Sequence, residues 1–328
     1  MKQIRLFPAL LFLITLLPHP DVCGGSPLSG VLTASSPTWN RVKDTPPLSN
    51  PICGSPASAS FNTGVPYKVY PIRTPVAEIL TLDVIAAATN VDTFVALYCA
   101  PFTPAAPLAN LVVSDDDSAG YPHPRISGSD NVVLNAGVTY YLVVTGYSNY
   151  APYGSFSMTL GGSVQALQYT IAGSITSGSG SVVCTSPVDY GDMATCTIKP
   201  AEYFLVSDVA IDGASRGPLG SVTFPAVTAD HTVAVTFVMD TAHRVRIPRP
   251  VPLFFPMLTD AYAVSADGET IQAWGMEFSE SLQLSVDKSV IIDGGFNQAY
   301  TTVTGMTAVK GTVSILKGMA VLDHIEVK

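Results

Sequence analysis

The most pointed polar feature of the 328-residue chain is the run Asp115-Asp116-Asp117. Three consecutive carboxylates repel one another unless they are solvated, paired with cations or bound to a metal. The segment Ser114-Asp115-Asp116-Asp117-Ser118-Ala119-Gly120 offers three carboxylates, two hydroxyls and a flexible glycine. Calcium takes six to eight oxygen ligands of this kind on a turn that can wrap it. The expectation is therefore a calcium site at Asp115, Asp116 and Asp117, with Asp92 and Asp130 as further ligands if the fold brings them near. The bland alternative is a solvated turn.

Three tyrosines, Tyr147, Tyr150 and Tyr153, crowd the loop between two apolar runs. Tyrosine rings in a loop stack on sugar rings or contact a protein, and they serve equally to pack over the end of a sheet. The histidines point to no catalytic constellation. His123, His231, His243 and His324 are scattered, and no G-x-S-x-G, H-E-x-x-H or P-loop motif occurs. Glu269, Glu277 and Glu280 form a Glu cluster that paired-carboxylate glycoside chemistry would need, but isolated exposed Glu usually only solubilise.

Lys2 and Arg5 precede an apolar run, 6–17, which is too short for a bilayer span of about 20 residues. With Val22 and Gly24 at the small positions, residues 1–24 read as a secretory signal cleaved after Gly24. Cys23 raises a lipoprotein reading, but Pro20-Asp21-Val22 is a poor lipobox. An outer-membrane lipoprotein is the lesser alternative to a secreted or bacterial cell-surface protein. No later run is long enough for a transmembrane helix.

Loss of Lys2, Arg5 and Asp21 moves the formal charge of −9 one unit further negative. An acidic surface repels phosphate backbones, so nucleic acid is not an expected partner. Four cysteines would remain, an even number that reads as two disulfides in an exported chain. Of three pairings, Cys53 with Cys99 and Cys184 with Cys196 keeps each bridge inside one candidate domain, and domains fold as units.

Only 12% of residues are charged, about half the usual share. That scarcity of Glu and Lys excludes coiled coils and long helical bundles. β-branched and aromatic runs alternate with Gly, Pro, Asn and Asp clusters instead, which predicts an all-β chain. Strands are expected at 30–34, 67–72, 77–84, 93–98, 111–114, 131–134, 139–145 and 155–160, a number and spacing that suit a jelly roll or β-sandwich over 26–162. A second set, at 169–175, 181–184, 194–198, 205–211, 221–224 and 232–238, makes a small module over 168–239. Asp212-Gly213 reads as a tight hairpin turn there. Pro248, Pro250, Pro252 and Pro256 mark 240–257 as an extended linker, with Arg244, Arg246 and Arg249 on a solvated strap.

In 258–328, Leu258, Tyr262 and Ala266 recur at helical spacing, and Asp267-Gly268 should end that helix. Short strands follow at 270–274, 282–286, 290–292, 307–315 and 320–327, without hairpin dipeptides between most of them. That pattern suggests stacked coils.

The first segment resembles the bacterial prepeptidase C-terminal (PPC) β-sandwich. The resemblance is carried by Asp92-Thr93-Phe94-Val95-Ala96-Leu97-Tyr98, Leu111-Val112-Val113-Ser114-Asp115-Asp116-Asp117 and Ala136-Gly137-Val138-Thr139-Tyr140-Tyr141-Leu142-Val143-Val144. It implies a non-catalytic appendage, and such domains include binders of calcium or insoluble polymers. The second resembles the bacterial repeat domain related to the internalin B-repeat, through Gly180-Ser181-Val182-Val183-Cys184, Tyr190-Gly191-Asp192, Thr195-Cys196-Thr197-Ile198-Lys199-Pro200, Val209-Ala210-Ile211-Asp212-Gly213 and Val227-Thr228-Ala229-Asp230-His231-Thr232-Val233. That implies a small β-grasp-like module with no chemistry. Glu202-Tyr203 stands where Gly-Tyr is usual, a departure expected to matter little. The third resembles the start of a right-handed, pectin-lyase-type parallel β-helix with an N-terminal capping helix. Asp267-Gly268-Glu269-Thr270-Ile271-Gln272-Ala273, Val290-Ile291-Ile292-Asp293-Gly294-Gly295-Phe296 and Gly311-Thr312-Val313-Ser314-Ile315 carry it. The roughly three coils readable here precede those on which lyases and hydrolases of that fold carry catalytic groups.

Together these features predict a non-catalytic exported bacterial protein that works by binding, adhesion or assembly. Its expected partner is an extracellular glycan or a surface or matrix protein. The alternative is an accessory carbohydrate-active protein, with polysaccharide binding or weak lyase or hydrolase activity in the β-helix part. The last strand, at 320–327, would have an unpaired edge inviting self-association unless Asp323, Glu326 and Lys328 blunt it.

Overall fold

The computed structural model describes residues 28–43, 60–86, 92–148 and 153–328. The expected signal at 1–24, Cys53 and Tyr150 lie outside the described residues. The chain is nearly all β and falls into two compact units. One runs to Gln168 and includes Asp189–Gly191; the other comprises Tyr169–Val188 and Asp192–Lys328. Among the described residues, no helix is long and apolar enough to cross a membrane.

In the first unit two antiparallel sheets form a sandwich. One has the order Leu28–Leu32, Gly154–Leu160, Leu82–Ala86, Arg125–Ile126. The other runs Gln165–Ala166, Ser60–Arg73, Tyr140–Gly146, Thr93–Cys99, Leu111–Asp115, and Thr38–Val42 also pairs with Ser60–Arg73. Thr93–Cys99 is buried along its whole length. Val95 and Leu97 face the core between the sheets, with Leu142, Val144 and Phe156. Phe94, Ala96 and Tyr98 face a second cluster with Trp39, Tyr67 and Val143. A strand covered on both faces has no polar side to show, which is why its sequence is an unbroken apolar run.

In the second unit, Ile171–Ser177 lies parallel to His231–Met239, which pairs antiparallel with Phe204–Ile211. Gly180–Cys184, Ala194–Pro200 and Ser221–Phe224 make a three-stranded antiparallel sheet. Asp212 and Gly213 both take positive φ and turn Ile211 back onto Ala214, as the hairpin dipeptide predicts. Cys184 and Cys196 are direct cross-strand partners and form a disulfide. Cys99 is also disulfide-bonded. Disulfides are compatible with an extracellular location.

The remainder of this unit coils. Thr270–Trp274, Ser289–Phe296 and Met319–Asp323 stack in parallel; so do Glu277–Phe278, Thr307–Val309 and Ile325–Val327, and Leu282–Leu284 with Val313–Ile315. Their inward side chains, among them Ile271, Phe278, Leu284, Ile292 and Val309, fill the coil. Two expected strands are broken by corners: 307–315 turns at Gly311 (φ +157) and 320–327 at His324 (φ 51).

The helix spans Leu258–Val264, two residues short of Ala266, and its buried residues are Leu258, Ala261 and Tyr262. The helix has no side-chain N-cap of its own. Glu280 fills that role from the first coil, accepting hydrogen bonds from Leu258 N (2.9 Å) and Thr259 N (3.0 Å).

The segment 240–257 is not the extended strap expected from its prolines. Val245–Ile247 pairs with Leu253–Phe255, and Val245 and Arg246 pair with Ala273 and Gln272. Val245 and Ile247 are fully buried in the coil's core. Their period-2 spacing outweighed the prolines, which are tolerated where the chain turns or runs at a sheet edge. The arginines are correspondingly occupied. Arg246 donates to Gln272 Oε1 and lies over the Tyr300 ring, and Arg249 pairs with Glu269 at 2.7 Å.

Candidate functional site

Antiparallel pairing of Thr93–Cys99 with Leu111–Asp115 sets Val95 opposite Asp115. The start of one strand therefore lies beside the end of the other. Asp92, Asp116 and Asp117 meet there, with one carboxylate oxygen of each within 4.8 Å of the others. Asp92 Oδ1 is shielded from solvent without a hydrogen bond among the described residues. Burial, then the Asp117 charge, pushes the Asp92 carboxyl above the usual range against the pull of Arg41. Desolvation, then the charge of Asp115, pushes Asp117 up in the same way, with His123 opposing. In both groups burial is the larger cause, and a neighbouring carboxylate adds to it.

Two of the expected ligands are placed elsewhere. Asp115 organises the turn: its carboxylate accepts from Ser118 N (3.1 Å), from the Ser118 hydroxyl and from Arg125 N (2.7 Å). Asp130 closes a capping box on the short 3-10 turn Gly128–Asp130, accepting from Ser127 N and Oγ. The expected hydroxyls are also committed, because Ser118 binds Asp115 and the buried Ser114 donates to Lys43 O. The turn thus presents Asp116 and Asp117, and Asp92 replaces Asp115 as the third carboxylate. Asx-turn chemistry explains the exchange: a carboxylate at a strand end is drawn to the backbone N–H groups of the turn it begins.

Tyr147 donates its backbone N–H to Asp92 O (2.8 Å), and its ring lies 4.4 Å from the Arg41 guanidinium. Arg41 is 1% exposed, and its guanidinium also lies over the Phe94 ring at 4.2 Å. The sequence reading missed Arg41, and its neighbours Asn40 and Lys43 gave no local signal that it would be buried. Tyr153 is half exposed, at 50%, and Tyr121, on the acidic turn itself, is exposed at 76%.

The glutamates weighed for acid/base chemistry have separate structural partners. Glu269 binds Arg249, which, with a hydrogen bond from Ala266 N, holds its carboxyl down at about 2. Glu277 lies 3.7 Å from Lys310, and Glu280 caps the helix. His231 binds Asp212 at 2.7 Å and stacks on Phe224 at the entry to its strand, and His243 binds the buried Asp240 at 2.9 Å.

No protein-family model matches the chain, and no curated protein matches it. Among solved structures it is similar to CBM35 from Cellvibrio japonicus Abf62, a carbohydrate-binding module, with 15% identity and a TM-score of 0.18, over 42% of this chain and 97% of that one. It is also similar to the glycoside hydrolase domain of Endo-D from Streptococcus pneumoniae R6, with 10% identity and a TM-score of 0.14, over 66% of this chain and 37% of that one. Scores this low carry no argument about ligand or activity. The PPC, internalin-repeat and pectin-lyase resemblances find no family match beside them.

Proposed function

We propose that the chain is a non-catalytic, exported binding protein of the bacterial cell surface. In this reading the rim of its sandwich holds calcium and contacts an extracellular glycan or a surface or matrix protein. The carrying observation is the convergence of Asp92, Asp116 and Asp117 within 4.8 Å at the junction of two strands and a turn. Calcium would relieve their mutual repulsion and fix the turn that exposes Tyr121. The tyrosine faces at the sandwich loops supply flat apolar surface of the sort that sugar rings and protein side chains cover. The structural employment of Glu269, Glu277, Glu280, His231 and His243 favours binding over catalysis. Self-association through the C-terminal strands belongs to the same reading, supported by the exposed Met319, Val321 and Val327.

The test is an array of glycans and matrix proteins probed with the full chain, with calcium and with chelator. Calcium-dependent capture, lost in Asp92→Asn with Asp117→Asn, is expected. Capture indifferent to calcium and to both substitutions would refute the rim as the site. Release of new reducing ends from a captured glycan would favour the carbohydrate-active alternative.

A further inference from the structure

Asp293 and Asp323 occupy equivalent positions on successive coils. The parallel register pairs Ser289 with Met319 and continues in step to Asp293 with Asp323. Like charges stacked in register on one face of a sheet repel. His324 follows at the corner, in the left-handed region at φ 51, and this conformation returns its ring to the two carboxylates. His324 Nδ1 lies 3.5 Å from Asp293 Oδ1 and 3.0 Å from Asp323 Oδ1. Asp293 Oδ1 and His324 Nδ1 are both shielded from solvent, and neither makes a hydrogen bond among the described residues. The two polar atoms thus face one another without an aligned hydrogen bond.

The corner is fixed by the backbone. Thr307 N donates to His324 O at 2.9 Å, and Thr307 Oγ1 donates to Trp274 O at 2.7 Å. Gly294, next to Asp293, permits the approach: a Cβ there would lie 2.6 Å from His324 O and 2.5 Å from Thr307 Oγ1.

We propose that Asp293, Asp323 and His324 form a binding site for a divalent transition-metal ion of the zinc class. Zinc accepts imidazole nitrogen and carboxylate oxygen at about 2.0–2.1 Å, which in a tetrahedron sets neighbouring ligand atoms about 3.3 Å apart. The separations of 3.0 and 3.5 Å bracket that edge. Calcium is a hard ion served by oxygen, so an imidazole donor selects against it. Three such ligands leave a position for water. The ion would cancel the charge stacked on adjacent coils and clamp the third coil to the second. This site is independent of the acidic rim of the sandwich.

The test uses the full chain, stripped with chelator and titrated with zinc by calorimetry and by metal analysis after dialysis. One tight equivalent is expected, not displaced by excess calcium, together with a raised melting temperature. His324→Asn keeps a residue that tolerates left-handed backbone, and it should weaken that equivalent at least tenfold. Asp293→Asn should do the same, whereas Asp117→Asn should leave it intact. Absence of a tight equivalent, displacement by calcium, or full retention of zinc by His324→Asn and Asp293→Asn would overturn the assignment. A wild-type chain stabilised by acid but not by zinc would show that a proton alone satisfies the three groups, and would likewise overturn it.

Discussion

The ring of Tyr203 lies 4.9 Å from that of Trp274, inclined at 32°. Tyr203 enters the strand Phe204–Ile211 of the small module, and Trp274 closes the first strand of the coil. The Tyr203 hydroxyl donates to Phe296 O (3.1 Å), and its backbone N–H donates to Gln298 Oε1 (3.0 Å). Gln298 N in turn donates to Glu202 Oε1 at 3.3 Å. Tyr203 takes φ +67 to make this approach. The pair Glu202-Tyr203, expected from sequence to matter little, therefore joins the two parts of this unit through the cluster of Trp274, Phe296 and Tyr300.

Replacing Tyr203 by alanine should cost about 3 kcal/mol, the lower end of the range for aromatic truncation, because the ring is only partly buried. Tyr203→Phe should lose only the hydroxyl's hydrogen bond, about 1 kcal/mol. The chain has two tryptophans. Urea unfolding followed by Trp274 fluorescence in a Trp39→Phe background reads this unit alone. An unchanged midpoint for Tyr203→Ala would show that the cluster is not a structural joint.

Cys184 and Cys196 are 12 residues apart, and closing so short a loop in the unfolded chain is worth about 3 kcal/mol in the chain-entropy account. Reduction, or Cys184→Ser with Cys196→Ser, should lower the melting temperature of this unit by several degrees. The Trp39→Phe background again isolates the response. A reduced chain melting at the same temperature would mean that the cross-strand pair adds nothing beyond its sheet.

At the rim, Asp92 and Asp117 have carboxyls raised above the ordinary range. Raised carboxyls favour the folded state when protonated, and that contribution is lost as pH rises through their folded values. The metal-free sandwich should therefore carry a penalty at neutral pH that acid relieves. Calcium should raise the melting temperature at pH 7 and do little at pH 4. Asp117→Asn should raise the calcium-free melting temperature and abolish the calcium response. Equal calcium effects at both pH values would argue against carboxylate ligation.

Glu78 behaves in the opposite sense. Burial works to raise its carboxyl, but hydrogen bonds from Ser163 and Thr74 hold it below the ordinary range. Ser163 N approaches at 3.1 Å, and a Cβ on Gly162 would lie 2.0 Å from Glu78 Oε2. A lowered carboxyl stabilises the fold above its unfolded value, and that stability is lost as pH falls through the folded one. Glu78→Gln should lower the melting temperature at pH 7, and the difference from wild type should shrink at acid pH. A deficit that stayed constant down to pH 2 would indicate lost packing, not lost charge.

What the sequence determined by itself is what neighbouring residues along the chain can dictate. Runs of β-branched and aromatic residues located the strands around Thr93–Cys99 and Tyr140–Gly146, and Asp212-Gly213 specified its hairpin because only residues tolerant of positive φ fit there. Four potential disulfide cysteines suggested a Cys184–Cys196 bridge, which the cross-strand register supplies. Prolines misdirected 240–257, because a proline reports on its own φ and says nothing of the buried Val245 and Ile247 beside it. Which carboxylates come together was decided by tertiary structure alone. Asp115 and Asp130 fell to nearby turns, while Asp92 joined Asp116 and Asp117 through strand pairing. Asp293 met Asp323 and His324 only because one full coil separates them. Strand register is a long-range choice, fixed by which faces can be buried together, and no local pattern encodes it.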